Sequence, residues 1–305
     1  MDTIRSGDGA VVTRNQYVDV NNRRLAYRSI GSGKPLVLCT RFRGSMDVWD
    51  PLFLESLAAG GFRVITFDYS GLGRSTGEKN YDPVSLARDA HDLIEALDLQ
   101  EVVIGGWSLG GLAAQAFVAI YPKRVTHAVL IGTGPPGLNV KDAEQLFYDT
   151  ASRPVNTFED EVVLFFEPRS TASREAAKKS HDRIEQRTRD RSVPVPIDFA
   201  VSFLRSGPRN PIFPADAVLA ALKSTTIPIL HVGGDHDISF PIENWYALDG
   251  QLPTVQLLTF PQAGHGPQHE HPVAVAEHIA TFVRTTARVV DGTIGAANAT
   301  TNVAS

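Results

Sequence analysis

Paired cysteines, long apolar runs and clusters of basic residues are all missing from this sequence of 305 residues. Its single cysteine, Cys39, excludes an intramolecular disulfide and a metal site built from several thiolates. No apolar run is as long as a membrane span, and the first residues contain no apolar segment of a secretory signal, so we expect a soluble cytoplasmic protein. Lys and Arg total 29 against 34 Asp and Glu, so nucleic acid is not an expected partner.

The hydrophobic share of 43% is sufficient for a buried core. Short apolar runs alternate with helical patterns, which is typical of βαβ units and a mostly parallel sheet in the α/β class. Strands are predicted at residues 16–20, 24–29, 35–39, 63–67, 102–104, 127–131, 229–232 and 255–260. Helices are predicted between them at residues 49–59, 83–97 and 109–121, the first ending at a glycine pair and the last before a proline.

The alternation of strands and helices is interrupted by a polar segment that contains many prolines. We therefore predict a core formed by residues 16–134 and 227–290, with residues 135–226 inserted as a helical lid (cap). Within the lid, residues 143–151 and 174–189 have helical periodicity. Such an insertion would lie over the carboxyl ends of the strands, where open α/β sheets bind ligands. Residues 1–15 and 291–305 are predicted to be flexible tails.

A short motif, G-x-S-x-G, places Ser108 between Gly106 and Gly110, after an apolar strand and before a helical run. This context is typical of a nucleophile elbow, a sharp strand-to-helix turn that exposes a serine. Larger side chains at the two glycine positions would clash with the strand and the helix. The N–H of Leu109 would lie at the helix N-terminus, where it can stabilise an oxyanion. Ser108 is thus the candidate nucleophile, and Trp107, in the same turn, is a candidate substrate contact.

A serine hydroxyl needs a base, and the base needs an acid to orient it. His265 lies in a glycine-flanked loop directly after the last predicted strand, and it is the candidate base. His269 and His271 follow it among polar neighbours, so we interpret them as surface or lid-facing residues. Two carboxylates, Asp235 and Asp237, follow the preceding predicted strand and are the candidate acids.

These motifs resemble the α/β-hydrolase superfamily, in its lid-bearing branch of esterases, lactonases and cofactor-free haloperoxidases. The resemblance extends from about Tyr17 to Val289 and includes the turn F-D-Y-S-G-L-G-R-S at residues 67–75. It implies a mostly parallel sheet of eight strands and the chain order serine, acid, histidine. In similar hydrolases the acid lies three residues after a strand-terminal glycine and four before a proline, and Asp237 matches both spacings. Asp235 would then cap its own loop.

One departure from the family pattern follows the strand that ends at Cys39. The family usually carries His-Gly there, whereas this chain has Thr40 and Arg41. Phe42 falls at the position that supplies the second oxyanion N–H, and a backbone donor does not depend on the side chain. Arg41 has two interpretations: recognition of a substrate carboxylate or carbonyl, or a salt bridge with Asp68.

The sequence therefore predicts a serine hydrolase that cleaves a carboxylic ester or a lactone through an acyl-enzyme on Ser108. Alternatives on the same triad are an acyl-homoserine or other lactonase, a C–C bond hydrolase and a cofactor-free haloperoxidase or perhydrolase. A small-molecule receptor is the alternative without turnover. No cofactor or metal is expected, because no further cluster of His, Cys, Asp and Glu has ligand spacing. The partner is a small-molecule ester or lactone, and no pattern indicates the oligomeric state or the substrate's groups.

Overall fold

The computed structural model describes residues 9–204, 207, 209, 215–290 and 293–296. Its strands are β1 (Gln16–Val20), β2 (Arg23–Ile30), β3 (Lys34–Cys39), β4 (Phe62–Phe67), β5 (Val102–Trp107), β6 (Val125–Ile131), β7 (Ile229–Gly234), β8 (Val255–Phe260), β9 (Thr286–Val290) and β10 (Thr293–Ala296). Its α-helices are α1 (Pro51–Ala59), α2 (Pro83–Ala96), α3 (Leu109–Ile120), α4 (Gln145–Ala151), α5 (Phe158–Phe165), α6 (Thr171–Glu185), α7 (Ile197–Leu204), α8 (Asp216–Ser224), α9 (Glu243–Tyr246), α10 (Pro267–Glu270) and α11 (Pro272–Thr285).

Eight strands form one sheet in the order β1-β2-β4-β3-β5-β6-β7-β8. β1 pairs antiparallel with β2 and β2 with β4, and the remaining neighbours are parallel. The predicted fold class, a mostly parallel eight-stranded sheet flanked by helices, is confirmed. β5 continues three residues beyond its predicted end at residue 104, because Gly105 and Gly106 still pair with β6 despite the poor strand propensity of glycine.

The sheet is covered on both faces, and successive residues of a strand point to opposite faces. On β3, Val37 and Cys39 belong to the core cluster that includes residues of α2, α3 and α8, whereas Leu36 and Leu38 belong to the cluster that includes α1 and α11. Cys39 is fully buried, and burial raises the pKa of its thiol to about 12. Its thiol therefore contributes to packing and is unreactive.

The chain between β6 and β7 contains α4 to α8. Phe147 and Ala151 of α4, Leu164 of α5 and Leu204 of α7 form a small apolar cluster separate from the two sheet cores. In contrast, α8 packs against α3, and its Val218 and Leu222 belong to the main core. The segment predicted as a lid, residues 135–226, thus ends with a helix of the core.

The two predicted tails differ from the structure where it describes them. Arg187, itself buried, donates from Nη2 to the carbonyl oxygens of Ala10 and Thr13, so residues 9–15 pack against the protein. The flexible-tail prediction is wrong for this stretch, because the anchoring residue lies far along the chain. In the other predicted tail, β10 pairs antiparallel with β9. Residues 1–8, 291–292 and 297–305 lie outside the described residues.

Candidate active site

Ser108 lies at the turn between β5 and α3, with φ 60° and ψ −121°, a conformation that L-residues rarely adopt. Its N–H donates to Ile131 O at 2.9 Å, which ties the turn to β6. A Cβ atom at Gly106 would lie 2.0 Å from Gly110 O, and one at Gly110 would lie 2.1 Å from Cys39 O. Glycine at both positions is therefore a steric requirement of the turn.

His265 and Asp237 form a buried pair, in which His265 Nδ1 lies 2.8 Å from Asp237 Oδ2 and each side chain is 1% exposed. The other carboxylate oxygen, Oδ1, accepts hydrogen bonds from the N–H groups of Ser239 and Phe240 at 2.8 and 2.9 Å. Because Nδ1 donates to the carboxylate, the imidazole carries its proton there and leaves Nε2 as an acceptor.

Asp235 does not take part in this pair. It is exposed, and its Oδ1 lies 3.1 Å from Nδ1 of His236. We expected Asp235 to cap its own loop, but the loop N–H groups donate to Asp237 instead. The structure therefore gives both the capping and the histidine contact to one carboxylate.

Trp107 lies next to the loop of His265. Its indole Nε1 donates to His265 O at 2.8 Å, and its side chain is buried. It lines a neighbouring cavity and is not among the residues that line the two cavities containing Ser108. Trp107 thus supports the His265 loop, and its contact with substrate stays a prediction.

Two cavities meet at Ser108, and Phe42 and Phe147 line both of them. The first, which we call the His265 cavity, has a volume of about 370 Å³. Its walls include Ser108, His265, Arg41, Asn156, Glu161 and Phe165. The second, the Leu109 cavity, has a volume of about 310 Å³. Its walls include Ser108, Leu109, Tyr81, Leu112, Phe203 and Phe240. Both volumes lie at the lower end of the range found for small-molecule pockets.

Ser108 and His265 share the wall of the His265 cavity. Among the hydrogen bonds of the described residues, none joins Ser108 Oγ to His265, whose imidazole bonds to Asp237. Hydrogen bonds between a nucleophile and its base are often long before substrate binds and tighten in the complex. The structure thus brings Ser108, His265 and Asp237, the predicted nucleophile, base and acid, to one place.

Leu109 and Phe42, the predicted sources of the two oxyanion N–H groups, line one cavity with Ser108. Leu109 is the first residue of α3, so its N–H has no acceptor within the helix. The loop of Phe42 is held by two hydrogen bonds, from Arg41 Nη1 to Phe42 O at 2.7 Å and from the Arg43 N–H to Tyr81 Oη at 3.1 Å. Leu109 and Phe42 both line the Leu109 cavity with Ser108, as an oxyanion hole requires.

The salt bridge considered between Arg41 and Asp68 is absent from the described contacts. Asp68 is buried and accepts hydrogen bonds from the N–H groups of Met46 and Arg74 and from the hydroxyl of Ser192, at 2.7, 2.8 and 2.6 Å. Burial nevertheless raises the pKa of Asp68, and these hydrogen bonds oppose that shift. The hydrogen bonds of Asp68 thus hold the turn that follows β4 and the segment between β6 and β7.

Arg41 instead lies against two aromatic rings that contact each other, with its guanidinium carbon 4.5 Å from the centroid of Phe165 and 5.2 Å from that of Trp107. Burial lowers the pKa of Arg41 to about 10, and the negative charge of Glu161 opposes this shift. The guanidinium is therefore charged at neutral pH, and it lines the cavity that contains Ser108 and His265.

His269 is buried, 4% exposed, so it is not a surface residue, and it faces the segment predicted as a lid, which was the other alternative. Its Nδ1 lies 2.8 Å from Ser180 Oγ of α6, and its ring lies 4.7 Å from that of Trp107. Burial lowers the pKa of His269 to about 4. His271, the other residue of that prediction, is half-buried and stacks on Phe260 at 4.7 Å.

Within the part of the chain that the structure describes, no three residues among His, Cys, Asp and Glu are arranged to hold a metal ion. In the same part, no helix combines the length and apolar character needed to cross a bilayer.

Residues 34–272 match the model of a family described as the α/β hydrolase fold. A pimeloyl-[acyl-carrier protein] methyl ester esterase of Vibrio campbellii is 27% identical over 256 residues, which cover 81% of this chain and 94% of the esterase. A Mycobacterium tuberculosis H37Rv protein with the provisional name non-heme bromoperoxidase BpoC is 26% identical over 259 residues, covering 82% of this chain and 94% of its own. An α/β hydrolase fold protein from Chitinophaga pinensis has a solved structure with a TM-score of 0.77 and 27% identity, covering 90% of this chain and 99% of its own.

Proposed function

Because the chain belongs to the α/β-hydrolase fold family, we propose that it is a serine hydrolase that cleaves a carboxylic ester or a lactone through an acyl-enzyme on Ser108. The observation that carries this proposal is the buried His265–Asp237 pair, joined at 2.8 Å beside a serine on a strained elbow. A base that is fixed by an acid and faces a serine is the arrangement that makes a hydroxyl nucleophilic. The esterase among the relatives agrees with this reaction class.

In the first half-reaction, Ser108 Oγ attacks the carbonyl carbon while its proton passes to His265 Nε2. The carbonyl oxygen becomes an oxyanion that accepts hydrogen bonds from the N–H groups of Leu109 and Phe42. Asp237 stabilises the imidazolium through Nδ1–H and does not take its proton. When the tetrahedral intermediate collapses, the carbon–oxygen bond to the alcohol breaks and the alcohol leaves with the proton from Nε2.

In the second half-reaction, water attacks the acyl-enzyme and gives a proton to His265 Nε2. Collapse breaks the bond to Ser108 Oγ, which regains the proton, and the carboxylic acid is released. With a lactone the alcohol stays attached to the acyl group, so the product is a hydroxy acid. Each oxyanion donor is expected to contribute a factor of roughly 100 to 1000 in rate.

A perhydrolase activity is the second candidate, favoured by the relative that is named as a non-heme bromoperoxidase. It would use the same acyl-enzyme. Hydrogen peroxide would replace water as the attacking group, and the product would be a peroxy acid instead of a carboxylic acid. Peroxy-acid formation from a carboxylic acid and hydrogen peroxide measures this activity separately from ester hydrolysis.

The experiment is labelling by a fluorophosphonate probe together with hydrolysis of p-nitrophenyl esters of graded acyl length and of lactones. We expect a mass adduct on Ser108, and we expect Ser108→Ala to lose both labelling and turnover while retaining its fold by circular dichroism. Ser202→Ala is the matched control, because Ser202 is an exposed serine of α7. Hydrolysis by Ser108→Ala above roughly 1% of the wild-type rate would exclude Ser108 as nucleophile.

A further inference from the structure

The two cavities at Ser108 are suited to different halves of an ester, an argument that rests on the proposed function. The imidazole that takes the serine proton must return it to the leaving oxygen, so the leaving group has to lie within hydrogen-bond reach of His265. His265 lines the His265 cavity and does not line the Leu109 cavity. The alcohol half therefore belongs in the His265 cavity, and the acyl half belongs in the Leu109 cavity beside the oxyanion donors.

The Leu109 cavity has a predominantly apolar wall around Ser108, formed by Leu112, Phe203, Leu204 and Phe240. Two charged residues, Asp82 and Arg209, also line it. Asp82 accepts the N–H of Ser85 at 3.0 Å and caps α2. Aromatic and aliphatic walls of this kind favour an apolar acyl group.

The His265 cavity contains charged groups of both signs, most of which already have partners. Arg43 donates from Nη1 to the carbonyl oxygens of Ala151 and Arg153 at 2.8 and 2.7 Å. Glu161 Oε2 lies 2.9 Å from His181 Nδ1. Arg41 is the remaining residue of this cavity with a charged side chain.

Arg41 has N–H donors in this cavity that no hydrogen bond of the described residues uses. Its described hydrogen bond uses Nη1, which donates to Phe42 O at 2.7 Å, and its Nε is buried with no partner within the described part of the chain. A guanidinium has five N–H donors. Contacts with the rings of Phe165 and Trp107 and the hydrogen bond to Phe42 O restrict its motion, so it loses little conformational freedom when a ligand binds.

We propose that Arg41 recognises a carboxylate, or a similar anionic group, on the leaving-group half of the substrate. The preferred substrate class is then an ester that joins an apolar acyl group to an alcohol bearing a negative charge. A guanidinium forms charge-assisted hydrogen bonds with such a group, and the partial burial of Arg41 strengthens them relative to water. Arg41 is a specificity-determining residue in this proposal, and the triad performs the chemistry.

Two esters with the same acyl group test this assignment: the hexanoate of 3-hydroxybenzoate and the hexanoate of methyl 3-hydroxybenzoate. We expect Arg41→Gln to lower kcat/KM for the charged ester roughly 10- to 100-fold, and for the neutral ester less than about threefold. Arg191→Gln is the matched control, because this arginine is paired with Glu185 at 3.0 Å and does not line either cavity of Ser108. It should preserve the wild-type ratio of the two rates.

Two outcomes of the kinetic test would overturn the proposal. If Arg41→Gln slows both esters equally, Arg41 acts only through its bond to Phe42 O. A p-nitrophenyl monoester of adipate places the carboxylate on the acyl half instead. If the wild type prefers this compound to p-nitrophenyl hexanoate and Arg41→Gln removes the preference, the two halves are assigned to the wrong cavities.

Binding separates this inference from the proposed function. The amide 3-hexanamidobenzoate and its methyl ester are ligands whose affinity can be measured by calorimetry without turnover. We expect the carboxylate form to bind at least tenfold more tightly to the wild type, and the difference to disappear in Arg41→Gln. Such selectivity without fluorophosphonate labelling of Ser108 would refute the serine-hydrolase mechanism and support Arg41 recognition. Labelling of Ser108 without the selectivity would overturn only the role of Arg41.

Discussion

The two carboxylate oxygens of Asp237 perform different tasks. One accepts from the N–H groups of Ser239 and Phe240 and so determines the shape of the loop, and the other accepts from His265. A carboxylate held by three donors has little freedom to rotate away from the imidazole. The loop that presents the acid is therefore shaped by the acid itself.

Asp237→Asn should reduce turnover on the order of 10⁴-fold while the protein stays folded. The asparagine oxygen can keep the two loop hydrogen bonds, but the amide N–H₂ then faces Nδ1 and favours the tautomer in which Nε2 carries the proton. Kinetic constants and melting temperature of the variant measure the two effects. Asp235→Asn is the matched control with little expected change, because Asp235 is exposed and contacts His236. A large kinetic loss in Asp235→Asn would reverse the two roles.

The turn at Ser108 and the loops of Asp237 and His265 could be predicted because each is a local motif in a strand-to-loop context. The contacts of Arg41 and His269 could not, since both involve the inserted segment: Arg41 lies over Phe165 of α5, and His269 contacts Ser180 of α6. Polar neighbours in sequence left open whether His269 lies at the surface or faces the lid. Packing against α6 and Trp107 buries it.

Strand prediction succeeded because a strand buried on both faces is a continuous apolar run, whatever surrounds it. The helices of the insertion were harder, because prolines and polar residues hide their periodicity. A readable signal remained at α5, where Thr157 and Asp160 form a capping box in the sequence T-F-E-D. The core helix α8 could not be separated from the insertion, since only its contact with α3 places it in the core.

Helix α6 is attached to the core by a buried ion pair. Arg183 Nε lies 2.8 Å from Asp50 Oδ1, and Asp50 is fully buried. The same carboxylate oxygen accepts the N–H of Leu52 and caps α1. The attachment of α6 and the start of α1 therefore depend on one charge.

Arg183→Met should destabilise the protein by about 3–5 kcal/mol, because it leaves the Asp50 carboxylate buried without its cation. Urea denaturation of the variant measures the loss. Arg174→Met is the matched control from the same helix: its partner Glu159 is exposed, so the expected change is below about 1 kcal/mol. In Arg183→Met/Asp50→Asn, removal of the unpaired charge should recover part of the stability. Equal losses for Arg183→Met and Arg174→Met would contradict a structural role of the buried pair.

The stability of the whole protein should depend on pH through Glu270 of α10. Its side chain is 5% exposed. Burial raises the pKa of Glu270 to about 7, hydrogen bonds from Ser173 and Gly264 oppose the shift, and the charges of Glu167 and Asp235 add to it. The folded protein thus keeps a proton that the unfolded chain loses near pH 4.5. Its contribution to stability is complete below that pH and is lost as the pH rises through about 7.

Glu270→Gln should remove this dependence, because the amide stays neutral at every pH. Between pH 4.5 and 8 the wild type should lose up to about 3 kcal/mol of stability relative to the variant. Denaturation midpoints of both proteins across this range measure the difference, in which the effects of other groups cancel. Glu277→Gln, at an exposed position of α11, should follow the wild type. A constant difference between wild type and Glu270→Gln would show that Glu270 ionises normally.

At Ser108, the backbone conformation that suits stability and the side chain that suits the proposed activity favour different residues. At φ 60° and ψ −121° any residue with a Cβ atom is strained by roughly 1–3 kcal/mol, and only glycine would be free of this strain. The hydroxyl that makes the position useful is attached to that same Cβ. Selection for thermal robustness therefore favours glycine at this position, while selection for activity opposes it. On the proposed function, a lineage of this fold that no longer needs to catalyse would gain stability by replacing Ser108 with glycine.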